Sequence, residues 1–189
     1  MVYEVLDIGV GMHMTYSYRD DPILGSVLAY WVRKRGARSM PCKRDIDPTE
    51  MPRKLLPNLQ IVDVIDGGER FRYRLAGTTL VEAYGEDFTG KCSDELLCGE
   101  RLHFMDEIYR TICKSKVPLF ARVKYQTPKN IALTASRIYM PLSDDGVDVH
   151  HILGVFRLEF GVYLESGIWG EAVLDPSGQH VEPIAAIAG

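Results

Sequence analysis

Between Asp66 and Gly85 the chain changes its hydrophobic period twice, and few folds accommodate such changes in so short a span. Asp66-Gly67-Gly68 separates two strand-like runs in "LQIVDVIDGGERFRYRLAG", and Asp-Gly pairs suit the positive φ angles of tight hairpin turns. In the second run Phe71, Tyr73 and Leu75 alternate with Arg72 and Arg74, so one face of the strand is apolar and the other is at least partly wet. At Gly77 the alternation stops. Thr78–Tyr84 reads as a short helix that Gly85 ends by taking the left-handed conformation. The glycines mark where the chain leaves a sheet and crosses over in helices before returning.

The return is also visible. A helical turn starts at Ser93, and "ERLHFMDEIYRTICKSK" is a longer helix with Leu102, Met105, Ile108, Tyr109 and Ile112 on one face. Pro118 ends it. Three strand-like runs follow: "LFARVKYQ", "IALTASRIYMPL" and "HHILGVFRLEF". Two strands, a helical block and three strands exclude a doubly wound parallel fold, which needs alternating β and α units. The predicted class is α+β, a five-stranded antiparallel sheet with helices on one face.

Upstream, Asp21 and Pro22 open a helix to Arg35, and Gly36 closes it. Ile23, Leu24, Val27, Leu28, Tyr30 and Trp31 form a stripe broad enough to serve two surfaces. Residues 1–21 read as a loosely docked lead, 22–160 as the domain with its flanking helix, and 161–189 as a partly disordered extension.

With 46% hydrophobic and 25% charged residues over 189 positions, the chain can bury one sizeable core. A net charge of −4 gives no reason to expect nucleic acid as a partner. The basic stretch "RKRGARSMPCKR" reads as a solvated helix end and linker. No apolar run approaches the roughly 18 residues of a membrane span, and the acidic start lacks the features of a secretory leader. The expectation is a soluble cytoplasmic protein with no membrane partner. Cys42, Cys92, Cys98 and Cys113 form no C-x-x-C pair and are expected as free thiols.

The motifs "YWVRKRGARSMPCKRDIDP", "LLPNLQIVDV", "FRYRLAGTTLVEAYGEDFTGK", "SDELL" and "YMPLSDDG" occur in an order that resembles a compact, stand-alone proteobacterial PAS-domain family of unknown function. The resemblance spans Pro22 to Phe160. It implies a sensory or regulatory module of signal transduction, with a pocket between sheet and helices and a tendency to associate through the flanking helix.

No cofactor is expected. Flavin-binding PAS photosensors carry an Asn-Cys-Arg-Phe-type motif, and Cys92 in "TGKCSDEL" lacks its flanking residues. His103 lies on the long helix but reads as the edge of a packed face rather than a haem ligand. His150 and His151, adjacent before a strand, point to opposite faces and would not chelate one metal. They read as turn or strand-start residues. No catalytic motif is present and no catalytic residue is assigned; Asp144-Asp145 reads as a turn.

The pocket expected from periodicity is lined by Phe71, Tyr73, Leu75, Phe104, Ile108, Val123 and Tyr125, which would suit a small, mostly apolar ligand. The same residues would build a filled core, and the chain would then be a protein-interaction module; an enzyme of unrecognised type is a third reading. No kinase, cyclase or DNA-binding output is recognisable, so any signal is expected to pass through association. The expected partner is a second copy, meeting through Ile23, Leu24, Val27, Leu28 and Trp31, or a signalling protein.

Overall fold

A computed structural model describes residues 18–126, 131–163 and 180–183. Helix α1 (Pro22–Arg35) leads, and short 3-10 turns fill the connector to strand β1 (Leu59–Ile65). Strand β2 (Arg70–Ala76) completes a hairpin, followed by α2 (Thr78–Tyr84), α3 (Ser93–Leu96) and α4 (Gly99–Ser115). Strands β3 (Leu119–Gln126), β4 (Ile131–Leu142) and β5 (His151–Tyr163) return, and β6 (His180–Pro183) comes last. The sheet order is β2-β1-β5-β4-β3-β6, and every pairing is antiparallel. The five expected strands are present, with β1 and β5 adjacent at the centre. β5 runs three residues past the expected domain edge, and β6 adds a short strand to the β3 side. The expected lead, but for its last residues from Tyr18, and most of the extension lie outside the described residues.

Strand alternation sorts the side chains onto two faces. Phe71, Tyr73, Tyr139 and Phe156 turn toward α4: Tyr109 of that helix packs at a tilt against Phe71 and edge-to-face with Tyr139, with ring centroids 5.0 and 5.6 Å away. Phe120, Ile138, Met140 and Val155 turn the other way, and they too are fully buried. Helix α1 covers them. Asp21 caps its first turn by accepting from the Ile23 and Leu24 N–H groups and also meets Arg157 Nε at 3.0 Å. The Trp31 indole N–H donates to the Pro141 carbonyl at 2.9 Å. The flanking helix thus lies on the sheet face opposite α2–α4, and both faces of the sheet are dry at its centre.

This placement corrects the reading of the α1 stripe as two surfaces. Leu24, Val27, Leu28, Tyr30 and Trp31 are all buried by the chain's own sheet, and Ile23 is partly buried against the same core. The outward side of α1 carries Pro22, Ser26, Ala29 and Arg33, with little apolar area to offer. Its basic end is largely paired within the chain, Lys34 with Glu50 and Arg38 with Asp45, each at 2.7 Å.

One irregularity sets the geometry of the hairpin. Val62 pairs with Tyr73 but Ile61 pairs with Leu75, so Arg74 is an extra residue on β2. Such a bulge turns the side chains beyond it to the other face. Leu75 is therefore 40% exposed and does not join Phe71 and Tyr73.

Candidate functional site

On its inward side α4 repeats the apolar pattern that the sequence predicts: Met105, Ile108, Tyr109 and Ile112 are buried. Facing it, β2 contributes Phe71 and Tyr73, and the end of the sheet nearer β3 contributes Val123, all buried. Phe104 is partly buried against the same core. The structure therefore gathers Phe71, Tyr73, Phe104, Ile108 and Val123 on one side of the sheet. It excludes Leu75, and the Tyr125 side chain lies outside the described residues.

Polar groups within this aromatic interior are what periodicity does not anticipate. Gln60 on β1, buried, donates from Nε2 to the Tyr109 hydroxyl at 2.8 Å. Arg137 on β4 is only 4% exposed; its Nη1 donates to the Tyr139 hydroxyl at 3.1 Å and touches Met105 Sδ at 3.3 Å. The same guanidinium lies 5.3 Å from the centre of the Phe156 ring, within the range of a cation–π contact. Burial pushes the hydroxyl pKa of Tyr73 and of Tyr109 above the ordinary range, because a phenolate would lose its hydration there. Both rings remain neutral at neutral pH and serve as hydrogen-bond donors and acceptors.

Arg101, in the first turn of α4, adds a second cation to this side. It is half-buried, and that burial pulls its pKa down, with the nearby Arg137 acting in the same direction. An arrangement of two guanidinium groups, three tyrosine hydroxyls and a carboxamide can orient a polar ligand group and hold it by directed hydrogen bonds. The signal in the sequence was the pattern itself. Arg101 stands four residues before Met105 in the inward stripe, and Arg137 alternates with Ala135 and Tyr139, so both occupy positions where an apolar side chain is expected.

The histidines fall elsewhere. His103 is exposed on the outer side of α4. His150 accepts from the Asp144 N–H at 3.2 Å, and His151, the first residue of β5, lies between Asp63 and Asp144 on the α1 side of the sheet. Among the described residues no three His, Cys, Asp or Glu side chains group to hold a metal ion. Cys92 is buried at the start of α3, where its N–H donates to Glu95. A shallow open groove of about 340 Å³ lies between the β1–β2 turn and the end of α4, lined by Gly67, Gly68, Glu69, Arg110, Cys113 and Lys114. It is apart from the predicted pocket.

A six-stranded antiparallel sheet in this order, with short helices and one long helix across one face, is the frame in which these buried polar groups sit. The sequence matches the family described as PAS domain over residues 20–157, most of the chain. The chain belongs to the PAS-domain family. No curated protein matches it. PAS domains are in general sensory or regulatory modules, and no helix among the described residues is long and apolar enough to cross a membrane.

Proposed function

We propose that this chain is a sensory module that binds a small molecule between α4 and the sheet, and that occupancy alters its association with a partner. One observation carries the reading: the hydrogen-bonded set Gln60–Tyr109 and Arg137–Tyr139 inside the aromatic core. Burying polar groups is costly unless they are satisfied, and a cationic one is the most costly. A core built only for stability would do better with apolar residues at positions 60 and 137. A binding site needs such groups to orient a ligand within an apolar enclosure. The role is regulatory rather than catalytic.

Association with a second copy belongs to the same proposal, through a surface other than the inner stripe of α1. The test is native mass spectrometry of the full chain purified from its own cells, followed by denaturation. A small-molecule mass that leaves on unfolding supports the reading. A bare chain in every preparation overturns it, and the same spectra report whether the chain is a monomer or a homodimer.

A further inference from the structure

We infer that the surface formed by the end of α1 and the connector behind it docks an acidic segment of a partner protein, with Arg33, Lys43 and Arg44 meeting its carboxylates. This names the kind of partner in the association proposed above and rests on that part of the reading. From Pro22 to Arg44 the chain holds six cations and no carboxylate. Asp45, Asp47 and Glu50 follow, so residues 33–50 carry a net +3 in a chain whose total is −4. Contacts gather this stretch into one place. Glu50 takes Lys34 at 2.7 Å and Arg33 at 3.8 Å, and Asp45 takes Arg38 at 2.7 Å. Arg38 in turn donates to the Lys34 and Arg35 carbonyls, which brings the turn Lys43–Asp45 back onto the end of the helix.

Folding explains only part of this charge. Lys34 and Arg38 are held in pairs, and Arg38 also satisfies carbonyls that a helix end leaves open. Arg33 stays 64% exposed beside a Glu50 that Lys34 already engages. Lys43 and Arg44 form no ion pair among the described residues, and Asp47 turns its carboxylate to Thr49. The backbone beneath these cations is fixed. Met40, Cys42 and Met51 are buried, and the Ser143 N–H donates to the Pro41 carbonyl at 2.9 Å. The connector is therefore no loose linker, and charges displayed from an anchored frame lose less freedom on binding. An isologous dimer centred here would set like charge against like, so the partner is a different chain. A long polyanion is disfavoured as well. It would extend past the roughly 8–10 Å over which salt screens and meet the rest of a chain whose total is negative. A short acidic segment meets the positive surface alone.

The experiment measures binding of a labelled deca-glutamate peptide to the full chain by fluorescence anisotropy, beside a deca-thymidylate oligonucleotide and vesicles containing phosphatidylserine. The expected result is saturable binding of the peptide that weakens with added salt, and a loss of about fivefold or more in the double variant Arg33→Gln, Arg44→Gln. The control, Arg110→Gln with Lys114→Gln, removes the same charge from α4 on the opposite side of the sheet and should leave affinity within about twofold. Circular dichroism checks that each variant is folded, and Lys43→Gln carries the test should the double variant not fold. No binding of the peptide, an equal loss in the control, tighter binding of the oligonucleotide, or binding to vesicles alone overturns the inference. Each of these outcomes leaves the ligand-binding reading in place, because the mass retained by the native chain reports on that separately.

Discussion

Asp63 on β1 and His151 on β5 stand directly opposite each other in the sheet, and their side chains meet at 2.8 Å between Oδ1 and Nδ1. Around this contact Arg74 Nε reaches Asp63 Oδ1 at 2.6 Å, Arg72 Nη2 reaches Oδ2 at 3.0 Å, and His151 Nε2 faces Asp144 at 3.1 Å. Arg72 and Arg74 stand two residues apart on β2 and so share the face that carries Asp63, which pairs with Arg72. The network ties β2, β1, β5 and the β4–β5 turn together on the side of the sheet opposite the candidate site.

Acid should weaken this network in a defined window. Burial opposes ionisation of Asp63, but hydrogen bonds from Arg74, Arg72 and His151 outweigh it and hold the carboxyl below its ordinary pKa. A depressed folded-state pKa means that the unfolded chain takes up the proton first as pH falls. The contribution is thus complete above about pH 4, the unfolded value, and is lost as pH drops through the folded one. Urea unfolding of the wild type and of Asp63→Asn, compared from pH 7 to pH 3, should show the difference shrinking below about pH 4. At pH 7 the substitution should cost about 1–3 kcal/mol, less than a fully buried pair because both arginines are half-exposed. A difference that stays constant with pH would contradict this.

High pH should act on the opposite side of the sheet. Burial raises the hydroxyl pKa of Tyr73 and Tyr109, so above about pH 10 the unfolded chain loses protons that the folded chain keeps. Stability should therefore decline from about pH 10 upward until the folded-state values are reached. Tyr109→Phe should lessen the decline, while costing about 1–3 kcal/mol at pH 7 by leaving the Gln60 amide short of a partner. Parallel pH profiles for wild type and variant would refute the assignment.

Two glycines should differ sharply. Gly85 has φ of 100° at the end of α2 with open space where a Cβ would stand, so Gly85→Ala should cost about 1 kcal/mol through backbone strain alone. Gly77 has an ordinary φ of −67°. A Cβ there would nevertheless run into the Pro57 carbonyl and lie 2.9 Å from the Leu59 carbonyl oxygen, which the Gly77 N–H already binds at 2.8 Å. Both obstacles are backbone and cannot rotate away. Gly77→Ala should cost about 3 kcal/mol or more, at the upper end of overpacking effects, and chemical denaturation of the two variants orders them.

Helix α1 makes a test of folding rather than of assembly. Leu24 and Leu28 are buried beneath it, so a Leu24→Glu, Leu28→Glu variant should unfold instead of yielding a folded monomer, because two charges would be forced into an apolar interface. Trp31→Phe isolates one interaction: it removes the donor to Pro141 and should cost about 1–3 kcal/mol, leaving a buried carbonyl unsatisfied. Circular dichroism with sedimentation separates an unfolded chain from a dissociated one. A folded, monomeric double variant would show that α1 is not part of the core.

Much of this architecture is written locally. The Asp66-Gly67-Gly68 turn, the Asp21 cap, the stop at Gly85 and the inward stripe of α4 depend on neighbours within a few residues, so chain order and element type could be read directly. The pairing of distant strands is another matter. Nothing near Arg74 announces that it will be the extra residue opposite β1, because a bulge exists only relative to a partner strand, and that single offset moves Leu75 away from the face of Phe71 and Tyr73. The side taken by α1 likewise depends on Phe120, Ile138 and Val155 forming a second apolar sheet face more than 80 residues downstream. Arg101 and Arg137 were visible as charges at inward positions, but an inward arginine acquires meaning only from what faces it. That Arg137 meets Met105 follows from the packing of α4 against β4, a contact between segments that carry no local record of each other.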